Sequence, residues 1–90
     1  MEFEWDSKKA ARNLAKHGVP FAEAATVFGD PLALTFPDLD HSDDEDRCLT
    51  FGCSVENRLL VISHTDRDSL TRIVSARLAT RNERRIYEEG

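Results

Sequence analysis

Five arginines fall within RIVSARLATRNERRIYEEG: Arg72, Arg77, Arg81, Arg84 and Arg85, where an apolar strand pattern runs directly into a helical one. A guanidinium group presents a planar fork of donors that matches the oxygens of a phosphate. Residues 58–90 hold seven Arg against five Asp+Glu, a balance of +2, and residues 1–57 hold five Lys+Arg against twelve Asp+Glu, a balance of −7; together these give the net −5. Cations gathered in one part of an acidic chain fit an anion held there, and a solvated helix face is the alternative. Arg77 stands at the start of the expected last helix, where the dipole repels cations. Its position makes sense if Arg77 and the helix N-terminus receive a phosphate together. A carboxylate from within the chain at that place would remove this reading. Strand alternation sets Arg72 with Val74 and Ala76, and Arg77 with Ile73 and Ser75, so the two forks diverge unless the strand bulges.

Three other places hold groups capable of acid–base or phosphate chemistry. Lys16-His17-Gly18 closes a helix, where His17 either caps the last carbonyls or acts as a base or phosphate contact. The segment from His41 to Arg47 joins a histidine, four carboxylates and an arginine. Glu45 and Arg47 stand nearest the following strand and fit a general base beside a phosphate clamp. A divalent cation on these carboxylates is a third possibility, although the glycine and ligand spacing of a calcium loop are missing. His64 shares a strand face with Leu60 and Ile62, which describes a hydrogen-bonded core histidine. No two histidines have the i, i+4 spacing of a helical zinc site, so neither metal nor other cofactor is expected. Cys48 and Cys53 lie five apart on one strand and point to opposite faces, as reduced thiols rather than a bridge.

The elements that position these groups follow from the hydrophobic periods. At 90 residues the chain is expected to form one domain, 1–90. No apolar run reaches the roughly 20 residues of a membrane span and no secretory pattern opens the chain, so a cytoplasmic protein without membrane contact is expected. The net negative charge argues against broad duplex binding and requires any nucleic acid to use a local basic patch. Phe3–Trp5 predicts a short strand. Asp6 is the N-cap of a helix over 7–17 with Ala10, Leu14 and His17 on its stripe, stopped by Gly18. A second helix is predicted over 21–28, ended by Asp30-Pro31. The period then changes to two: strands at 32–36, 47–54, 58–65 and 70–76, with 38–46 a polar loop. A helix opening at Leu78 or Thr80 closes the chain, its inner side formed by Ala79, Ile86 and Tyr87. The expected class is α+β: two N-terminal helices, a four-stranded antiparallel meander with a short N-terminal strand, and a C-terminal helix, the helices packed on one face.

Five segments, FEWD (3–6), NLxKHGV (13–19), FxxAxxVFxDP (21–31), HSxxExR (41–47) and RIVSARxATxxERRxYEE (72–89), resemble the BrnT family of type II toxins, in order and over nearly the full length. Leu78 departs from the basic residue expected after the S-A-R triplet, which removes one charge from the patch.

The resemblance implies a RelE-like fold and a ribonuclease that stops translation by cleaving RNA without a metal. It implies a BrnA-type antitoxin as partner, in a 2:2 complex, with operator DNA bound only through the antitoxin. Carried onto this chain, the catalytic candidates are Glu45, Arg47, Arg72, Arg77 and His17, with Lys16, Arg81 and Arg84 binding RNA. The competing reading is a non-catalytic binding module, or an inactive toxin copy, whose arginines serve only complex formation. A metal-dependent hydrolase on the 38–46 carboxylates is the third.

Overall fold

Asp6 and Gly18 bracket the first helix by the chemistry expected of them. In a computed structural model describing residues 1–40 and 46–90, the Asp6 carboxylate accepts from the Lys8 and Lys9 amides at 2.8 and 3.0 Å. Gly18 takes the left-handed conformation at φ 70°, and its N–H reaches the Leu14 carbonyl. Between them runs α1 (Ser7–His17). After it come α2 (Phe21–Thr26) and a 3-10 turn (Val27–Gly29), where one continuous helix to residue 28 was expected. Asp30 ends this segment, and its carboxylate accepts from the Leu32 and Cys53 amides.

The strands are β1 (Glu2–Glu4), β2 (Leu34–Pro37), β3 (Arg47–Cys53), β4 (Leu59–Arg67) and β5 (Leu70–Leu78). They form one sheet in the order β1-β5-β4-β3-β2. β2 to β5 are the antiparallel meander, while β1 adds to β5 in parallel and makes the sheet mixed. Asn57 and Asp68 supply the positive φ values of the two tight turns. Thr80 caps the last helix, α3 (Arg81–Glu89).

The core lies between the sheet and α1–α2. Val19, Phe21, Ala24 and Val27 pack on Leu60, Ile62, Ile73 and Ala76, with Phe3 and Phe28 at the margin. Gly52 permits this approach, because a Cβ there would stand 2.7 Å from Val27 Cγ1. As expected, β4 is covered on both sides: Leu59, Leu60, Val61 and Ile62 are all buried.

Two expectations about packing fail. Leu14 is half exposed, and the buried residue of α1 is Asn13. Asn13 ends in an amide that pairs with both the N–H and the C=O of Ala76 at 3.1 and 2.9 Å, and donates also to the Val19 carbonyl. It replaces a strand neighbour where β1 stops, so polarity here wins over the apolar stripe. On β2 the residue facing the core layer is Thr35, bonded to Thr50, while Phe36 stacks against Phe51 on the other side. The second failure is that the helices do not share one face. Arg77 points away from the core side, and its partner Glu83 lies on α3, which packs against β3. No residue of α3 is fully buried; Ile86 is partly exposed, and Tyr87 anchors the helix by donating to Asp30 Oδ2 at 2.6 Å.

Candidate functional site

A bulge decides where the arginines point. β4 and β5 pair in step from Leu60–Leu78 to Ser63–Ser75 and resume at His64–Ile73, which leaves Val74 as the extra residue. Ile73 and Ala76, three apart, consequently both face the core. Arg72 alternates with Ile73 and Arg77 with Ala76, so both side chains leave the sheet on the side away from α1 and α2. The condition under which the two forks share a side is met.

At the Arg72 end the register lines up Arg47, Thr65, Arg72 and Glu4 across four strands. Cross-strand partners project to one side, so the row carries two guanidinium groups with a hydroxyl between them. Beside it lies a depression of about 470 Å³ lined by Glu4, Asp46, Thr65, Asp66, Arg67 and Arg72 among others. Arg72 Nη1 donates to Glu4 Oε2 at 3.2 Å, and both side chains are 44% exposed. An ion pair this open contributes about 0–1 kcal/mol, so an incoming phosphate can displace Glu4 at small cost.

The Arg77 end is closed. Arg77 Nη1 and Nη2 donate to the two oxygens of Glu83 at 2.7 and 2.9 Å. Glu83 also accepts from the Thr80 amide at 2.9 Å, while Thr80 Oγ1 accepts from the Glu83 amide at 3.2 Å, completing a capping box. Arg77, and to a lesser degree Thr80, hold the Glu83 carboxyl down at about 2, and Glu83 in turn pushes the Arg77 guanidinium up. The N-terminus of α3 is thus filled by the chain's own carboxylate. This is the condition that removes the phosphate reading at Arg77, and Arg77 is a fastening for α3.

The remaining candidates scatter. Arg81 and Arg84 are exposed on α3, beyond Leu78, which lies roughly 20 Å along β5 from Arg72. Lys16 and His17 close α1 and line a groove with Val74 and Ser75. Glu45 and His41, with Asp43 and Asp44 of the carboxylates proposed for a metal, lie outside the described residues. His64 is the core histidine expected: 1% exposed, with Thr50 Oγ1 at 2.7 Å from Nε2, Asp66 Oδ1 at 2.9 Å from Nδ1, and the Phe28 ring edge-on. Sequence reasoning overlooked Glu4 and Thr65 as members of the arginine row. FEWD marks a strand, but nothing in it says that Glu4 will stand beside Arg72, because first-to-last parallel pairing leaves no local signal.

The sequence model of the family described as ribonuclease toxin, BrnT, of type II toxin-antitoxin systems matches residues 5–83. This chain belongs to the BrnT family. The 1.1 Å crystal structure of the Brucella abortus ribonuclease toxin BrnT has a similar fold, with a TM-score of 0.69 and 25% sequence identity. The likeness covers 90% of this chain and 99% of that one. No curated protein matches the sequence. In BrnT family terms the chain is a ribonuclease toxin whose partner is an antitoxin, and among the described residues no helix is long and apolar enough to cross a membrane.

Proposed function

We propose that this BrnT family member is a metal-independent endoribonuclease that acts in the cytoplasm and stops translation. The observation that carries the reading is the row Arg47–Thr65–Arg72 on an open face of a family fold. In the reaction the ribose 2′-oxygen bonds to the adjacent phosphorus as its proton passes to a base. The P–O5′ bond then breaks, and the 5′-oxygen takes a proton from an acid. The products are a 2′,3′-cyclic phosphate and a free 5′-hydroxyl. Arg47 and Arg72 hold the phosphorane oxygens, an effect worth a few kcal/mol for each well-placed donor. Glu45, two residues before Arg47, is our choice of base, since His17 lines the α1 groove on the other side of the sheet from this row; such a group contributes roughly 10²–10⁴-fold. Lys16, Arg81 and Arg84 attract RNA from farther out. A BrnA-type antitoxin neutralises the toxin in a 2:2 complex, and operator DNA is reached only through the antitoxin.

The test is growth after tightly induced expression, with RNA integrity read from the same cultures. Wild type is expected to arrest growth and lose RNA, in extracts with or without EDTA, while Arg72→Ala and Glu45→Gln stay folded and do neither. Equal toxicity of Arg72→Ala would remove the row from the reaction. The net charge of −5 favours the second reading, a non-catalytic binding module. That reading takes over if soluble wild-type protein leaves both growth and RNA intact.

A further inference from the structure

The cations of α1 form a second, separate array. Lys9, Arg12, Lys16 and His17 lie at i, i+3, i+7 and i+8 on one helix stripe and form the wall of a groove of about 300 Å³. The floor is Asn13 with Val74 and Ser75, at the point where β1 no longer covers the edge of β5. Lys9, Arg12 and Lys16 are exposed, and among the described residues none of the three is in an ion pair. A protein of net charge −5 thus sets three cations in line along about 10 Å of helix, outside any ion pair among the described residues.

The stripe and the arginine row lie on opposite sides of the sheet and meet at its β5 edge, where β1 ends. Val74 and Ser75 in the groove floor follow Arg72 on the same strand. Asp6 lies between the two arrays. It follows Glu4, the partner of Arg72, by two residues, and its carboxylate accepts from the Lys8 and Lys9 amides, so the end of β1 runs from Arg72 to the first turn of α1. The cationic path therefore runs Lys16, Arg12, Lys9, Arg72, Arg47 around the exposed end of β1.

We infer that the α1 groove binds the phosphate backbone of the RNA segment flanking the cleavage site, so that a single strand follows this path and long RNA is preferred over short. The inference rests on the ribonuclease reading for its substrate class. An acidic protein segment would also suit the charges, but the meeting with the Arg47–Arg72 row at the β5 edge favours a strand that passes from one array to the other. Single-stranded nucleic acid is commonly held by such a groove tracking its backbone.

The experiment measures binding of uncleavable 2′-O-methyl RNAs, about 12 and about 4 nucleotides long, by fluorescence anisotropy across a salt series. It compares wild type, the triple variant Lys9→Gln/Arg12→Gln/Lys16→Gln, and the charge-retaining Lys9→Arg/Lys16→Arg. Thermal unfolding checks that each is folded. The triple variant is expected to bind the long RNA about tenfold or more weakly and to lose the preference for length. Its salt slope should fall by about 2, given roughly 0.7 per phosphate contact in single strands. The arginine variant should retain both. Unchanged affinity and slope for the long RNA would overturn the inference, as would an equal loss for the two lengths. Unchanged RNA binding with weakened antitoxin binding would overturn it in favour of a protein dock. Because the probe cannot be cleaved, loss of the ribonuclease reading in the growth experiment leaves this binding result separately readable.

Discussion

The two ends of β5 carry the same residue type on the same side of the sheet and put it to different uses. Arg72, near the strand's start, meets one exposed carboxylate in an open depression beside Arg47. Arg77, near its end, has both terminal nitrogens taken by Glu83, a carboxylate that also caps α3. The difference teaches that clustering of arginines in sequence says little about which are available to a ligand. Availability depends on what faces each fork and on how much solvent that partner keeps. An exposed pair exchanges partners at little cost, whereas a bidentate, half-buried pair that also closes a helix does not.

The largest expected effect lies at the open end. Arg72→Ala should lower RNA cleavage by about 10²–10³-fold, the cost of one lost oxyanion donor, and shift folding stability by less than about 1 kcal/mol. Cleavage assays beside urea unfolding check both halves, and a comparable loss of stability would make the two ends alike.

Between the two ends, Asn13→Leu removes an amide that satisfies Ala76 on both sides and leaves buried backbone groups unpaired. A stability loss of about 2–4 kcal/mol is expected in denaturant unfolding. A loss below about 1 kcal/mol would show that α1 is held by packing alone.

At the closed end, Arg77→Ala should cost about 1–3 kcal/mol of stability, with cleavage by the folded fraction retained within a few-fold. The same pair predicts a pH dependence. The folded carboxyl of Glu83 sits at about 2, below its ordinary 4.5, so its stabilisation is complete above about pH 4.5 and is lost as pH falls toward 2. Unfolding of Glu83→Gln across that range should be flatter than wild type; identical curves would show that the clasp contributes nothing. A folded Arg77→Ala protein with no activity would return Arg77 to the site.

The smallest effect sharpens the open end alone. Glu4→Gln should leave stability within about 0.5 kcal/mol and tighten RNA binding a few-fold, since Arg72 no longer has a competing carboxylate. Weaker binding would mean that Glu4 orients Arg72 for its ligand.

Much of the fold was legible because its signals are local. Asp6, Gly18 and Thr80 are capping residues whose side chains or φ preferences act within one turn, and the hairpin turns fall at or beside the polar breaks that the periods suggested. The unbroken apolar run Leu59–Ile62 marked the central strand because burial on both sides leaves no alternation. Leu14 misled because an apolar side chain is tolerated on the surface. Asn13 escaped notice because a buried amide is recognised only by the strand edge it satisfies.

What the sequence by itself determined is the order and kind of the elements, the buried role of His64 and membership of the BrnT family, since each rests on residue types read in order along the chain. What only the tertiary structure decided is which charges meet. The Val74 bulge turns Arg72 and Arg77 to one side, the parallel β1 sets Glu4 beside Arg72, and the capping box of α3 delivers Glu83 to Arg77. Register and strand order are non-local: a one-residue shift reverses every side chain after it, and composition carries no record of that shift.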